Sequence, residues 1–181
     1  NDKDTLTGGG AGTSQRPSFV GRVSFAPINK DGKVFHIGGA AAWRQPDVAK
    51  IATSGADLPD RLNASRIVKL DSRAETHVTR AKFLSTGDMK YVDHLVQLGG
   101  EVAGTFGPLT FQGEYQKTDV IRKATTVANY SDHTFNGYYG QVMMFLTKGD
   151  RRPYLVNEGE FDRVVPKSKN GAFEVGIRYS M

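Results

Sequence analysis

Ala172-Phe173-Glu174-Val175-Gly176-Ile177-Arg178-Tyr179-Ser180-Met181 carries an apolar side chain at every second position from Phe173 to Tyr179, with Glu174, Gly176 and Arg178 between them. Successive side chains of an extended chain point to opposite faces, so this spacing describes a two-faced β-strand. The same rhythm recurs in Leu109 to Gln116, where Leu109, Phe111 and Tyr115 oppose Thr110, Gln112, Glu114 and Gln116, and again in Phe19 to Phe25. In a soluble sandwich the apolar face is buried and the polar face solvated. In an outer-membrane barrel the apolar face meets lipid and the polar face lines a lumen. Periodicity alone does not separate the two.

Working outward, Pro17 to Pro27 reads as a strand, Asn29 to Lys33 as a turn built on Asp31-Gly32, and Val34 to Arg44 as the returning strand. On that return Phe35, Ile37, Gly39, Ala41 and Trp43 share one face, and His36, Gly38, Ala40, Ala42 and Arg44 the other. Trp43 suits either an interfacial aromatic girdle or the core of a soluble sheet. Gln45 to Ser65 is a long excursion with no sustained period, and extended structure resumes from Arg66 to about His77, followed by a polar stretch through Asp93. Leu95 to Phe106, Gly107-Pro108 and Leu109 to Lys117 form a second tight hairpin. Asp119 to His133 reads as loop. Thr134 to Lys148 reads as a strand with apolar residues on both faces, which predicts cover on both sides. Gly149 to Asn170 is a long charged loop before the last strand. The expected architecture is all-β, an antiparallel meander of seven or eight amphipathic strands with short turns at one end and long loops at the other, in one domain over 1–181. Asn1 to Gln15, with Gly8-Gly9-Gly10 and Gly12, reads as a flexible arm. No GK[ST] or complete GxGxxG follows it, so it is no phosphate cradle.

The 181 residues hold 24 Lys plus Arg against 19 Asp plus Glu, a net charge of +5 that mildly favours an anionic partner. The charges are interspersed, so no nucleic-acid tail is marked. The chain has no cysteine, which removes disulfides, thiolate metal sites and thiol nucleophiles. No signal sequence and no transmembrane helical run is visible, and a barrel shows no such run. His36, His77, His94 and His133 lack metal-ligand spacing, and no GxSxG or HExxH occurs. They read as surface or lumen histidines, with no cofactor, no metal and no catalytic residue expected.

Four segments in order, GEVAGTFGPLTFQGEYQ from Gly100 to Gln116, GYYGQVMMFLTKGDRRPY from Gly137 to Tyr154, GEFDRVVP from Gly159 to Pro166, and GAFEVGIRYS from Gly171 to Ser180, resemble the phosphate-selective porin O and P family. The likeness covers about the last ninety residues well, and the earlier part more loosely. It implies a sixteen-stranded outer-membrane barrel, normally a homotrimer, embedded in bacterial outer-membrane lipid and passing phosphate, polyphosphate or related small anions by diffusion. It implies no enzyme and no nucleic-acid partner. On this reading the chain is an internal segment of a larger porin, about half a barrel, with the family's lysine-bearing constriction loop outside it. The family's arginine row has no visible ladder here, only the isolated Arg22, Arg44, Arg73 and Arg178. Glu101, Glu114 and Glu174 share the polar faces, so the expected pore lining, formed by these seven residues, is mixed in sign. Arg22, Arg44, Glu101, Glu114, Glu174 and Arg178 are expected to face the lumen, and Val23, Phe111, Val175 and Ile177 to face lipid. The resulting expectation is an anion-preferring channel. The alternatives are a soluble β-sandwich or lipocalin-like binding module, and a structural barrel without transport.

Overall fold

The computed structural model describes residues 16–46, 66–73, 82–123 and 130–181. Among the described residues there are ten strands: β1 Ser18–Lys30, β2 Lys33–Arg44, β3 Asp71–Arg73, β4 Lys82–Ser85, β5 Val92–Phe106, β6 Leu109–Arg122, β7 His133–Phe145, β8 Tyr154–Leu155, β9 Glu160–Phe161 and β10 Glu174–Ser180. Six of them form one sheet in the order β1-β2-β5-β6-β7-β10, while β3 pairs with β4 and β8 with β9. The described chain is all-β, as the alternation predicts.

Several strands exceed their expected limits. Asp119 to Arg122 belong to β6 rather than to a loop. The polar residues there are held by specific partners, since the Thr134 hydroxyl donates to Asp119 at 2.6 Å and the Arg122 guanidinium donates to the Lys90 carbonyl at 2.9 Å. Val120, fully buried, supplies the apolar anchor. The 45–65 excursion and the stretch from Ala74 to His77 lie largely outside the described residues, as does the 1–15 arm.

The chain packs into two compact units, one from residues 1–19, 42–96 and 119–134, the other from residues 20–41, 97–118 and 135–181. In the first, Val68, Met89, Val92, Leu95 and Val120 are buried together with an isolated antiparallel bridge between Val68 and Met89. Trp43 there meets Phe19 and His94, with ring centroids 6.0 and 5.6 Å away. Tyr91 stacks on Tyr130 at 4.7 Å, and Arg122 covers the same Tyr130 ring at 4.4 Å.

In the second unit the turns Asp31-Gly32 and Gly107-Pro108 sit side by side, because the Gly107 N–H donates to the Gly32 carbonyl at 2.7 Å. Gly107 has φ +60, which a type II′ turn requires at its first central position. The expectation of tight turns at one end and long loops at the other fails here. The 146–173 connection leaves from the tight-turn end, with the Phe145 N–H on the Pro108 carbonyl at 3.0 Å and an Arg151–Asp31 ion pair. Nor is this connection structureless, since it contains the β8–β9 hairpin. It accounts for the apolar residues on both faces of β7. Phe145 is buried, and Met143 lines a cavity shared with Tyr154 and Phe161 of the connection.

The remaining face of the sheet in this unit is apolar and open. Val23 and Phe25 of β1, Ile37 of β2, Leu98, Val102 and Phe106 of β5, Tyr115 of β6, Val142 and Met144 of β7, and Val175, Ile177 and Tyr179 of β10 are all exposed, Ile177 at 76% and Val23 at 78%. An apolar surface continuous over six strands is far larger than the scattered apolar residues a water-soluble domain displays.

Candidate functional site: the polar face of the sheet

The β10·β7 register pairs Arg178 with Gln141 and Glu174 with Phe145. Arg178 donates to Gln141 at 3.0 Å and lies over the Tyr139 ring, 3.6 Å from its centroid. Gln141 donates to Gln112 at 3.0 Å, Gln112 donates to Glu114 at 3.3 Å, and the Tyr139 hydroxyl donates to the same Glu114. These five side chains, drawn from β6, β7 and β10, close a ring of polar contacts. Each of the two amides both gives and accepts, so the side chains hold one another in place.

A second cluster spans β1, β2 and β5. Arg22 donates to Glu101 Oε1 from Nε at 3.1 Å and from Nη2 at 2.6 Å, and Nη2 also reaches the Gly159 carbonyl at 3.4 Å. His36 lies beneath, 2% exposed, with Nε2 3.2 Å from Glu101 and Nδ1 hydrogen-bonded to the Tyr154 hydroxyl. Burial holds the Tyr154 phenol above its ordinary value, Arg22 opposing and Glu101 assisting, so Tyr154 stays a neutral hydroxyl. Arg152, next to Tyr154, pairs with Glu174 at 2.7 Å. The 146–173 connection is thereby strapped to the polar face through Tyr154, Gly159 and Arg152. Between strap and sheet lies a cavity of about 480 Å³ lined by Arg22, His36, Glu101, Gln112, Glu114, Gln141, Arg152, Tyr154 and Glu160 among others.

The strap is closed on itself by Asp150, whose side chain is almost fully buried. The Thr147 hydroxyl and then the Lys167 backbone N–H, which donates to Oδ1 at 2.8 Å, hold this carboxyl below the usual carboxylate range. A carboxyl lowered in the folded state stabilises the loop above its ordinary pKa and loses that contribution as the pH falls through the lowered value. Replacing Asp150 by Ala is expected to speed proteolytic cleavage between residues 148 and 167 at neutral pH by roughly two- to tenfold, the worth of an ordinary hydrogen bond. The parent protein is expected to show the same acceleration only well below about pH 4, the ordinary carboxylate range. Equal cleavage rates at pH 7, read from digestion time courses, would contradict this role.

Of the residues singled out in the sequence, Arg22, Glu101, Glu114, Glu174 and Arg178 occupy this one face in one unit, each with a partner named above. Arg44 has the strand parity of His36 and lies in the other unit. Arg73 lies on β3, outside the six-stranded sheet, and its side chain is outside the description. His36 has the face expected of it but is buried rather than exposed. Tyr154 and Arg152, read in the sequence as part of a long charged loop, went unrecognised as members of the face. In the other unit a separate polar group centres on Asp93, with Arg66 at 3.4 Å, His94 at 3.0 Å and Lys123 at 3.9 Å. No group of three or more potential metal ligands occurs among the described residues.

The arrangement is a wall with one apolar and one polar side, narrowed on the polar side by a strap, and it offers charge and hydrogen bonds to a solute. Comparison with known proteins agrees with such a wall. Residues 6–181 match the family described as phosphate-selective porin O and P, well beyond the last ninety residues that carry the clearest sequence likeness. Porin O of Pseudomonas aeruginosa is 33% identical over 167 residues, covering 89% of this chain and 36% of Porin O. The chain thus spans a little over a third of that relative, less than the half-barrel expected from the sequence.

Proposed function

Because the chain belongs to the phosphate-selective porin O and P family, we propose that it forms part of the wall of a bacterial outer-membrane porin through which small anions diffuse passively. The observation that carries the proposal is the division of the sheet, with apolar side chains exposed on one face of six strands and an interlocked polar network on the other. A lipid-facing and a water-facing side in strict alternation is what a transmembrane strand requires. A soluble sandwich would cover the apolar face with a second sheet. The full-length protein on this reading is a homotrimer whose pore lining includes Arg22, Arg44, Arg73, Glu101, Glu114, Glu174 and Arg178. The family is one of channels rather than enzymes.

Anion preference follows from the surplus of basic residues, since a charge in a narrow, partly desolvated pore acts more strongly than in bulk water. The interleaved glutamates favour a second reading, a general anion-preferring porin without phosphate selectivity. A reversal potential across a planar bilayer under a salt gradient, repeated with added phosphate, separates the two. Anion-selective current blocked by phosphate is expected of a phosphate-selective pore. Anion-selective current without block gives the general porin, and cation-selective current contradicts both.

A further inference from the structure

Glu101 stands on β5, His36 and Gly38 on β2, and Arg22 on β1, so β2 separates the carboxylate from the guanidinium it binds. The bridge exists because Gly38 has no side chain. A Cβ built there would lie 2.3 Å from Glu101 Oε1 and 2.8 Å from its Cγ. The glutamate therefore crosses its neighbouring strand through the space glycine leaves, and takes up the Arg22 fork at both Nε and Nη2. Arg22 is still 46% exposed at its side chain, on the wall of the cavity under the strap, so solvent and solute reach it. The other arginine lining that cavity, Arg152, is paired with Glu174 through a single Nη2 contact at 2.7 Å.

We infer that Glu101 is a selectivity-setting counter-charge: by reaching over Gly38 it occupies the Arg22 guanidinium that would otherwise bind a passing oxyanion, and so weakens anion retention in this part of the lumen. The ligand class is a small oxyanion such as inorganic phosphate, whose oxygens compete with the Glu101 carboxylate for the same planar donor fork. An exposed ion pair is held only weakly, so the mask is partial and a bound anion displaces it at modest cost. The result is a wall position that attracts anions without trapping them, which favours flux. The inference rests on the reading of this face as a pore lining.

The test is single-channel recording of the full-length porin in planar bilayers, with inorganic phosphate as the probe and its half-saturating concentration as the readout. Glu101→Gln keeps the size of the side chain and removes its charge, and is expected to lower half-saturation by about two- to fivefold, the range that the worth of an exposed pair converts to. The gain is expected to vanish in the Arg22→Ala/Glu101→Gln double variant. Glu114→Gln removes a carboxylate bonded to Tyr139 and Gln112 rather than to an arginine. It is expected to shift the reversal potential toward anions and leave half-saturation where it was. Gly38→Ala leaves the charge unchanged and obstructs only the crossing, so it too is expected to lower half-saturation. Equal effects of Glu101→Gln and Glu114→Gln, or a Gly38→Ala channel identical to the parent, would overturn the inference while the channel reading stands. A parent protein that forms no conducting species would instead overturn the channel reading, and this inference with it.

Discussion

Replacing Ile177 by Arg is expected to destabilise the membrane-folded protein by about 2–4 kcal/mol, the cost of a basic side chain on the lipid face near the bilayer midplane. Ile177 is 76% exposed on the apolar face of β10, and its cross-strand partner is Val142, itself exposed on the same face. A guanidinium placed there has no water and no carboxylate within the apolar band, and escapes only by thinning the bilayer or reaching to the headgroups. The comparison that gives the number meaning is Gln116→Arg. Gln116 is exposed on the polar face of β6 and lines a small cavity with Glu101 and Glu114. An arginine at that position stays in water and is expected to cost less than about 1 kcal/mol. Urea-dependent folding into lipid vesicles, followed by heat-modifiable migration, reads both variants on one scale. Equal costs at the two positions would mean that the two faces of the sheet meet the same medium.

A loss of comparable size is expected from Gly104 on β5. A Cβ there would lie 2.8 Å from the Val34 carbonyl oxygen and 2.6 Å from two atoms of the Phe111 ring. The ring can turn, but the carbonyl is backbone and moves only if β2 and β5 separate. Gly104→Ala is therefore expected to cost about 1–3 kcal/mol by overpacking, and Gly104→Val more. Phe111 is fixed from two sides, by Phe106 at 6.2 Å and Phe35 at 6.3 Å, so its displacement disturbs a cluster drawn from three strands. Gly100, four residues earlier on the same face of β5, has nothing within 4 Å of its would-be Cβ. Alanine at Gly100 is expected to be neutral or slightly stabilising, because it restricts the unfolded chain without a clash. The same vesicle-folding measurement separates the two. An Ala variant at Gly104 as stable as one at Gly100 would show that β2 and β5 do not approach as described.

What could be read from the sequence was whatever a two-residue period controls. The faces of β10, β6 and β1 follow from alternation, and Phe173, Val175, Ile177 and Tyr179 lie exposed on one side as their spacing requires. Both tight hairpins were legible because Asp31-Gly32 and Gly107-Pro108 are local signals. The C-terminal end of β6 was not, because Asp119 and Arg122 are held by partners on Thr134 and Lys90, and a polar residue with a distant partner looks like a loop residue in sequence. The strap was illegible for the same reason. His36 meets Tyr154 across 118 residues and Arg22 meets Gly159 across 137, distances over which no periodicity carries information. The resemblance to a porin family supplied what alternation could not, a choice between a lipid-facing and a core-facing apolar side. The neutralisation of Arg22 and Arg152 by Glu101 and Glu174 was visible only as a mixture of signs on the polar faces. Which acid meets which base needed the cross-strand geometry.

The two-sidedness of the sheet can be read residue by residue along β10. The segment contains no cysteine, so a thiol introduced at any position from 174 to 180 is unique within it. The measurement is the reaction of single-cysteine variants of the full-length, membrane-inserted protein with a water-soluble, membrane-impermeant thiol reagent while conductance is recorded. Cysteines at 178 and 180 are predicted to react and to lower the current, and cysteines at 175, 177 and 179 to stay unmodified in lipid. Modification of the odd-numbered positions from water, or uniform reactivity along the strand, would contradict a wall with one face in lipid and one in an aqueous pore.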